Sequence, residues 1–193
     1  NLVTPKSFKA RLVKVIYQDT VKNKNSDPSY GILLEDEEQM ARRNMSSSLE
    51  KIGLHPEETQ KVDFLQMAVF EYMIGNTDWS VQFQQNIKLI TADSTSLPTA
   101  VPYDFDHAGL VNAPYANPAE ELEMKSVTER RYRGYCITDM KAYDQVIALF
   151  NGLKKDFYNV YTNCSLLDAK YIKTAAKYLD EFYATINNPK ALQ

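Results

Sequence analysis

The sequence has no long apolar run, and its charges show no basic excess. No stretch comes near the ~18 consecutive apolar residues that a membrane-spanning helix needs. Lys and Arg number 22 against 25 Asp and Glu, which gives a formal net charge of −3. Nonspecific binding of nucleic acid needs a basic face. We therefore expect no membrane span and no nucleic-acid partner.

Cysteine and histidine are also scarce, with two residues of each. Cys136 and Cys164 could pair if the protein is exported, but two cysteines make no disulfide framework, so we expect two small buried apolar residues. Neither has the neighbouring ligands of a zinc site. His55 is expected where a helix begins. His107 follows two aspartates and could serve a site, although a lone histidine is more often a hydrogen-bonded structural residue.

A chain of 193 residues, of which 11% are aromatic, is long enough for one ordered domain with a sizeable core. Alternating apolar residues predict a half-buried strand over 8–17, and Tyr30–Leu34 is expected to pair with it in an antiparallel sense. Glu35–Arg43 has acids first and bases last, as in a short solvated helix. We treat residues 1–55 as one part, with strands and this short helix, and residues 56–193 as the other.

The second part is predicted to be mainly helical. A buried helix is expected from Pro56 to about Met73, with Gly75 and Asn76 ending it. Three further helices are predicted in the last third of the chain, over 138–152, 153–161 and 165–188. Thr138 is expected to cap the first of these, Ser165–Asp168 to open the last as a variant capping box, and Pro189 to end it.

Two polar clusters in apolar surroundings carry the functional signal. Asp78 follows the buried helix in a loop, and Asn86 begins a short predicted strand that ends at Ile90. The other cluster contains Asp104 and Asp106, at the end of a returning strand. Carboxylate and amide oxygens suit Mg²⁺ and the phosphates it carries better than they suit Zn²⁺.

The two strands are expected to form a hairpin that brings these side chains together. Side chains alternate faces along a strand, so Asn86 and Lys88 would share one face. Asp104 and Asp106 would share one face of the partner strand, which we expect over Val101–Phe105. Two carboxylates this close repel each other unless a cation neutralises them.

The order of these features resembles the protein-kinase-like superfamily. It runs from a buried helix to a loop with Asp, then to Asn on a strand, a hairpin and a second Asp. Ile74–Asp78 is similar to the catalytic loop of HipA-type kinases. Tyr103–Asp106 is similar to the metal-binding strand of HipA-type and CotH-type (spore-coat) kinases. The likeness is closest over residues 62–115.

That resemblance implies an α+β fold that is mostly α: a kinase-like C-lobe with short antiparallel strands and a helical C-terminal half. It implies ATP with Mg²⁺ or Mn²⁺, and a protein or small-molecule acceptor of unknown identity. Asp78 would orient the acceptor hydroxyl. Asn86, Asp104 and Asp106 would bind the metal, and Asn86, Lys88 and Asp104 would bind the nucleotide. CotH-type proteins are often exported, which favours an exported or periplasmic location.

Three features depart from the family pattern. Asn86 lies eight residues after Asp78, a longer spacing than is usual, and Trp79 and Ser80 stand where a basic residue is expected. The residues before Pro56 contain no Gly-rich phosphate loop and no strand lysine with its helical glutamate. We therefore expect a fragment that is inactive by itself. The alternatives are a kinase-like binding module without activity, or an unrelated helical interaction domain whose aspartates cap local turns.

An arginine-rich segment, Arg130–Arg133, has two interpretations. Guanidinium groups can bind phosphate. They can equally pair with the nearby glutamates of Glu120–Glu123, and we expect this pairing, since surface contacts of that kind are common.

Overall fold

The structure is a computed structural model that describes residues 1–137, 140–188 and 190. It is mixed α and β, with 36% helix and 16% strand. The predicted predominance of helix over strand is therefore confirmed. The expected roles of Thr138 and Pro189 at helix ends lie outside the described residues. Within that part of the chain, no helix is both long enough and apolar enough to cross a membrane.

The N-terminal segment forms a two-stranded antiparallel ribbon. β1 (Ala10–Val15) pairs with β4 (Ser29–Leu34), with Leu12 opposite Ile32. A smaller pair, β2 (Gln18–Asp19) and β3 (Lys24–Asn25), extends from it. The sequence predicted the pairing of these strands, because alternating apolar residues on both sides of a turn-rich segment are typical of a hairpin. The expected half-buried strand over 8–17 was wrong in length and burial, since β1 is shorter and four of its six residues are exposed.

A short helix follows, at the position the sequence predicted. α1 (Glu37–Arg43) begins after Asp36, whose carboxylate accepts a hydrogen bond from the Gln39 amide. Acidic residues occupy its first turn and basic residues its last, so its charges complement the helix dipole.

Three strands form a second antiparallel sheet that joins the two parts of the chain. These are β5 (Ser47–Leu49), β6 (Ile87–Thr91) and β7 (Thr99–Pro102), in the order β5-β6-β7. The predicted hairpin is thus present, but β7 ends at Pro102 rather than at Phe105. β5 comes from the first part and β6 from the second, so the sheet spans the division at residue 55.

The predicted helix from Pro56 is two elements. Pro56–Glu58 is a single 3₁₀ turn, in which the Glu58 carboxylate accepts a hydrogen bond from the His55 amide. Thr59 is extended, and α2 (Lys61–Ile74) begins only after it. The expected start at Pro56 was therefore wrong, because the cap at His55 serves the short turn alone.

α2 is buried on two opposite sides, as its apolar sequence predicted. Leu65, Val69 and Met73 pack against the C-terminal helices. Phe64 and Met67 pack against the three-stranded sheet. A helix that is covered on both sides reads as apolar nearly all round. It fixes the position of whatever follows its C-terminus.

The C-terminal third contains α3 (Met140–Gly152), α4 (Lys154–Thr162) and α5 (Ala169–Ile186). The cap of α5 is Asp168, which accepts a hydrogen bond from the Tyr171 amide, so the expected box opening at Ser165 was wrong. Met140, the first residue of α3, is 51% exposed.

The two cysteines are both free thiols. Cys136 is exposed and Cys164 is half-buried. The structure therefore has no disulfide between them, and the expectation of two buried apolar residues was also wrong.

Gly75 ends α2 in the left-handed conformation, and a side chain there would collide with the Tyr178 hydroxyl. Gly53 has a similar positive φ, but open space surrounds it. We expect Gly53→Ala to lower the free energy of unfolding by about 1–2 kcal/mol, the cost of the conformation alone. Gly75→Ala should lose about 1–3 kcal/mol more through overpacking. Denaturant unfolding of the two variants side by side measures the difference, and equal losses would contradict it.

Candidate functional site

The Asp78 loop is held by the buried end of α2. Gly75 turns the chain, and Asn76 and Thr77 are almost fully buried behind it. The Asn76 Oδ1 atom accepts a hydrogen bond from the Asp78 amide at 3.1 Å. A side-chain oxygen that bonds two residues ahead fixes a turn, so Asp78 is presented from a rigid base.

Both carboxylate oxygens of Asp78 are bonded. Gln85 Nε2 donates to Oδ1, and Asn86 Nδ2 donates to Oδ2 at 3.0 Å. Asn86 Nδ2 also donates to the Asp78 main-chain oxygen at 2.8 Å. The Asn86 amide nitrogen is thus engaged, and its Oδ1 is the atom that can ligate a cation. The structure brings Asp78 and Asn86 together despite their long spacing.

Asp104 lies beside this pair, just beyond the hairpin. The Tyr103 main-chain amide donates a hydrogen bond to the Asn86 main-chain oxygen at 3.0 Å, which continues the pairing of β6 and β7 by one residue. Asn86 and Asp104 both have left-handed backbones, with φ of 52° and 57°. Asn86 and Asp104 are therefore brought together by two local turns. The sequence analysis had assumed that the alternation of side chains along a strand would do this.

The electrostatics of Asp104 show that carboxylates are crowded there. Partial burial raises its pKa most, and the charges of Asp106 and Asp78 raise it further. His107 opposes these effects and lowers it. Asp106 accepts a hydrogen bond from the Tyr115 hydroxyl at 3.1 Å. Asp78, Asp104 and Asp106 thus share a region in which an added cation would relieve repulsion.

Lys88 is not brought to these acids. Its ammonium group pairs with Glu37 of α1 at 2.9 Å, and this ion pair raises the lysine pKa. Lys88 lies within β6, whereas Asn86 lies before the strand in a left-handed turn. Its role in binding a nucleotide stays a prediction.

Two arginines hold the main chain around the site through hydrogen bonds, a role that the sequence analysis missed. Arg133 Nη1 donates to the main-chain oxygens of Thr77 and Trp79, on either side of Asp78. Burial lowers the pKa of the Arg133 guanidinium, and the nearby negative charge of Asp78 opposes this fall. A basic group therefore lies near Asp78, and it comes from a later segment of the chain.

Arg130 has a similar structural role at the end of α2. It donates to the main-chain oxygens of Met73 and Tyr178 and stacks over the Tyr178 ring at 3.5 Å. Its ion pair is with Glu181 of α5, at 3.6 Å. The expected pairing of this segment with Glu120–Glu123 was wrong for Arg130 and Arg133. No local pattern indicates which distant carbonyl oxygen an arginine will meet.

A buried carboxyl group, Glu71, lies directly beneath the loop. It is 1% exposed, and neither of its oxygens has a hydrogen-bond partner of ordinary geometry. Burial raises its pKa to about 8, while the facing Asn76 amide opposes that rise. Glu71 is therefore largely protonated at neutral pH. No local pattern indicates this burial, because a glutamate within an apolar helix normally faces solvent.

The donor set fits a hard cation such as Mg²⁺. Among the described residues, no three His, Cys, Asp or Glu side chains form a ready-made metal site. A site here would use Asp104, Asp106 and the Asn86 Oδ1. Mg²⁺ commonly takes one or two carboxylates and fills its other positions with water and phosphate oxygens.

Comparisons with protein-family models, with curated proteins and with solved structures find no match to this chain. The site must therefore be interpreted from its own geometry.

The buried Glu71 predicts an unusual dependence of stability on pH. Burial raises its pKa in the folded state to about 8, from an ordinary value of 4.5. When folding raises the pKa of a group, the group's contribution to the stability of the folded state is fully present below its pKa in the unfolded chain. This contribution is lost as the pH rises through its pKa in the folded state. Relative to Glu71→Gln, the wild-type protein should lose stability between pH 4.5 and about 8, by about 5 kcal/mol at most.

Urea unfolding of wild type and Glu71→Gln across this pH range tests that expectation. Glu121→Gln, at an exposed position, is the matched control and should show no such trend. A difference between wild type and Glu71→Gln that does not change with pH would show that Glu71 is already ionised in the fold.

Arg133→Ala is expected to loosen the Asp78 loop and to lower the free energy of unfolding by about 2–3 kcal/mol, since hydrogen bonds from a charged group are lost. The chain has one tryptophan, Trp79, which is 3% exposed and lies 5.5 Å from the Arg133 guanidinium. Its fluorescence emission should shift to longer wavelength in Arg133→Ala. The exposed Arg131→Ala should leave the emission unchanged, and the same shift in both variants would refute the role of Arg133.

Proposed function

We propose that this chain is the C-lobe part of a kinase-like phosphotransferase that binds ATP with Mg²⁺ or Mn²⁺. The observation that supports this most directly is the pairing of Asp78 with Asn86 next to Asp104. One amide group is bonded to both the carboxylate and the main-chain oxygen of Asp78, while its own oxygen is left for a metal. The crowded carboxylates at Asp104 favour a cation in the same place.

Each residue has a distinct task in this proposal. Asp104 and Asp106 bind the metal through carboxylate oxygens, and Asn86 adds an amide oxygen. When bound, the metal neutralises charge on the phosphates. Asp78 accepts a hydrogen bond from the acceptor hydroxyl and thereby orients it. Arg133 holds the main chain on both sides of Asp78, so that this orientation is preserved.

A binding module without catalytic activity is the second candidate, and a specific observation favours it. Both oxygens of Asp78 already accept hydrogen bonds, from Gln85 and Asn86. An acceptor hydroxyl would have to displace one of these donors. In this alternative the same residues bind the metal and nucleotide, but Asp78 only stabilises the loop.

We expect Asp104→Asn to weaken the Mg²⁺-dependent affinity for ATP by about tenfold or more, because a metal ligand loses its charge. Titration calorimetry of the intact protein with ATP, with and without Mg²⁺, measures this. Asp144→Asn removes the same charge from an exposed position on α3 and should bind as wild type does.

Asp78→Asn separates the two candidates. If Asp78 only holds the loop, this variant should retain both the affinity and whatever activity the intact protein shows. A catalytic Asp78 requires that activity fall while the affinity stays close to that of wild type. Equal Mg²⁺–ATP affinity in wild type and Asp104→Asn would contradict both candidates.

A further inference from the structure

An elongated trough runs along α2 and β7. At one end, Asp63 accepts hydrogen bonds from Thr99 at 2.8 Å and from Lys6 at 2.6 Å. At the other end, the Phe70 ring packs against Phe105, with centroids 5.6 Å apart. Asp63 and Phe70 are two turns apart on α2, so the floor between these contacts is about 10 Å long.

The trough has apolar walls and a defined volume. Its floor includes Met67 of α2 and Pro102 of β7, and its roof includes Ile32 and Leu34 of the N-terminal ribbon. The Phe8 ring packs against Tyr103 at 5.8 Å and ties the roof to the hairpin. The space has a volume of about 780 Å³, within the range of sites that bind small molecules.

The two ends of the trough differ in charge. Among the described side chains that line it, Lys6 is the only Lys or Arg, and it is paired with Asp63. The Lys6–Asp63 pair is therefore neutral. Asp104 and Asp106 lie at the other end, beside Phe105, and no lysine or arginine of the described lining offsets them.

We propose that the trough binds a small molecule with an elongated apolar body and a cationic amine. The apolar body lies between Met67 and Ile32, and the amine lies beside Asp104 and Asp106. Charge complementarity selects this occupant, since an anionic head would meet two carboxylates and a neutral head would bring no charge to balance theirs. The inference does not rest on the proposed function, and because both assign Asp104 and Asp106, the amine and a metal ion would compete for these carboxylates.

Three probes with the same body and different heads test the proposal: phenylbutylamine, phenylbutanol and phenylbutyrate. Their dissociation constants for the 193-residue chain can be measured by ligand-observed NMR in buffer without divalent metal or nucleotide. We expect the amine to bind most tightly and the acid most weakly, with at least about a tenfold difference between them. An acid that binds as tightly as the amine would overturn the proposal.

Variants locate the two parts of the ligand. Ile32→Ser should weaken the binding of the amine and of the alcohol to the same extent, because Ile32 belongs to the apolar roof of the trough. Leu33→Ser is the matched control: Leu33 is 60% exposed, and it lies next to Ile32 on the same strand, so its side chain points to the opposite face. Asp104→Asn should abolish most of the difference in affinity between the amine and the alcohol, and Asp144→Asn should leave that difference unchanged.

Two further results would also count against the proposal. Equal weakening by Ile32→Ser and Leu33→Ser would place the probes outside the trough. Sedimentation that shows Ile32-dependent self-association would assign the trough to a second copy of the chain. Since the measurements contain no nucleotide or metal, failure here is distinct from failure of the proposed function.

Discussion

The position of the Asp78 loop depends on the burial of α2 from two sides. One side packs on the C-terminal helices and the other on the three-stranded sheet, so the helix cannot shift without disturbing both cores. Its C-terminus is therefore fixed in the interior, where Gly75 turns the chain toward Asp78. The same burial encloses the Glu71 carboxyl group, whose oxygens have no hydrogen-bond partner of ordinary geometry and whose pKa it raises.

The acids of the site are brought together by main-chain geometry. The hairpin brings Asn86 opposite Tyr103, and left-handed turns at Asn86 and Asp104 then redirect both side chains. An asparagine and an aspartate adopt this conformation more readily than most residues. The same residue types therefore meet two requirements, a local backbone conformation and a supply of oxygen ligands.

The sequence predicted features that depend on neighbours along the chain. The ribbon, α1 with its charged ends, and the β6–β7 hairpin follow from patterns a few residues long. The position of Lys88 against Glu37 and that of Arg133 behind Asp78 depend on segments far apart in the chain. The left-handed turn at Asp104 was missed because the strand pattern was continued past Pro102. Glu71 was missed because its burial depends on both cores at once.

The N-terminal ribbon has consequences for how a molecule could reach the trough. It is a two-stranded sheet with large apolar side chains in solvent, and Ile32 is 70% exposed. Such a pair is marginal by itself, so its opening needs far less free energy than global unfolding. The roof of the trough can thus detach as a local unit while α2 and the helices beneath it stay folded. Opening of this one hairpin would widen the trough without the motion of a domain.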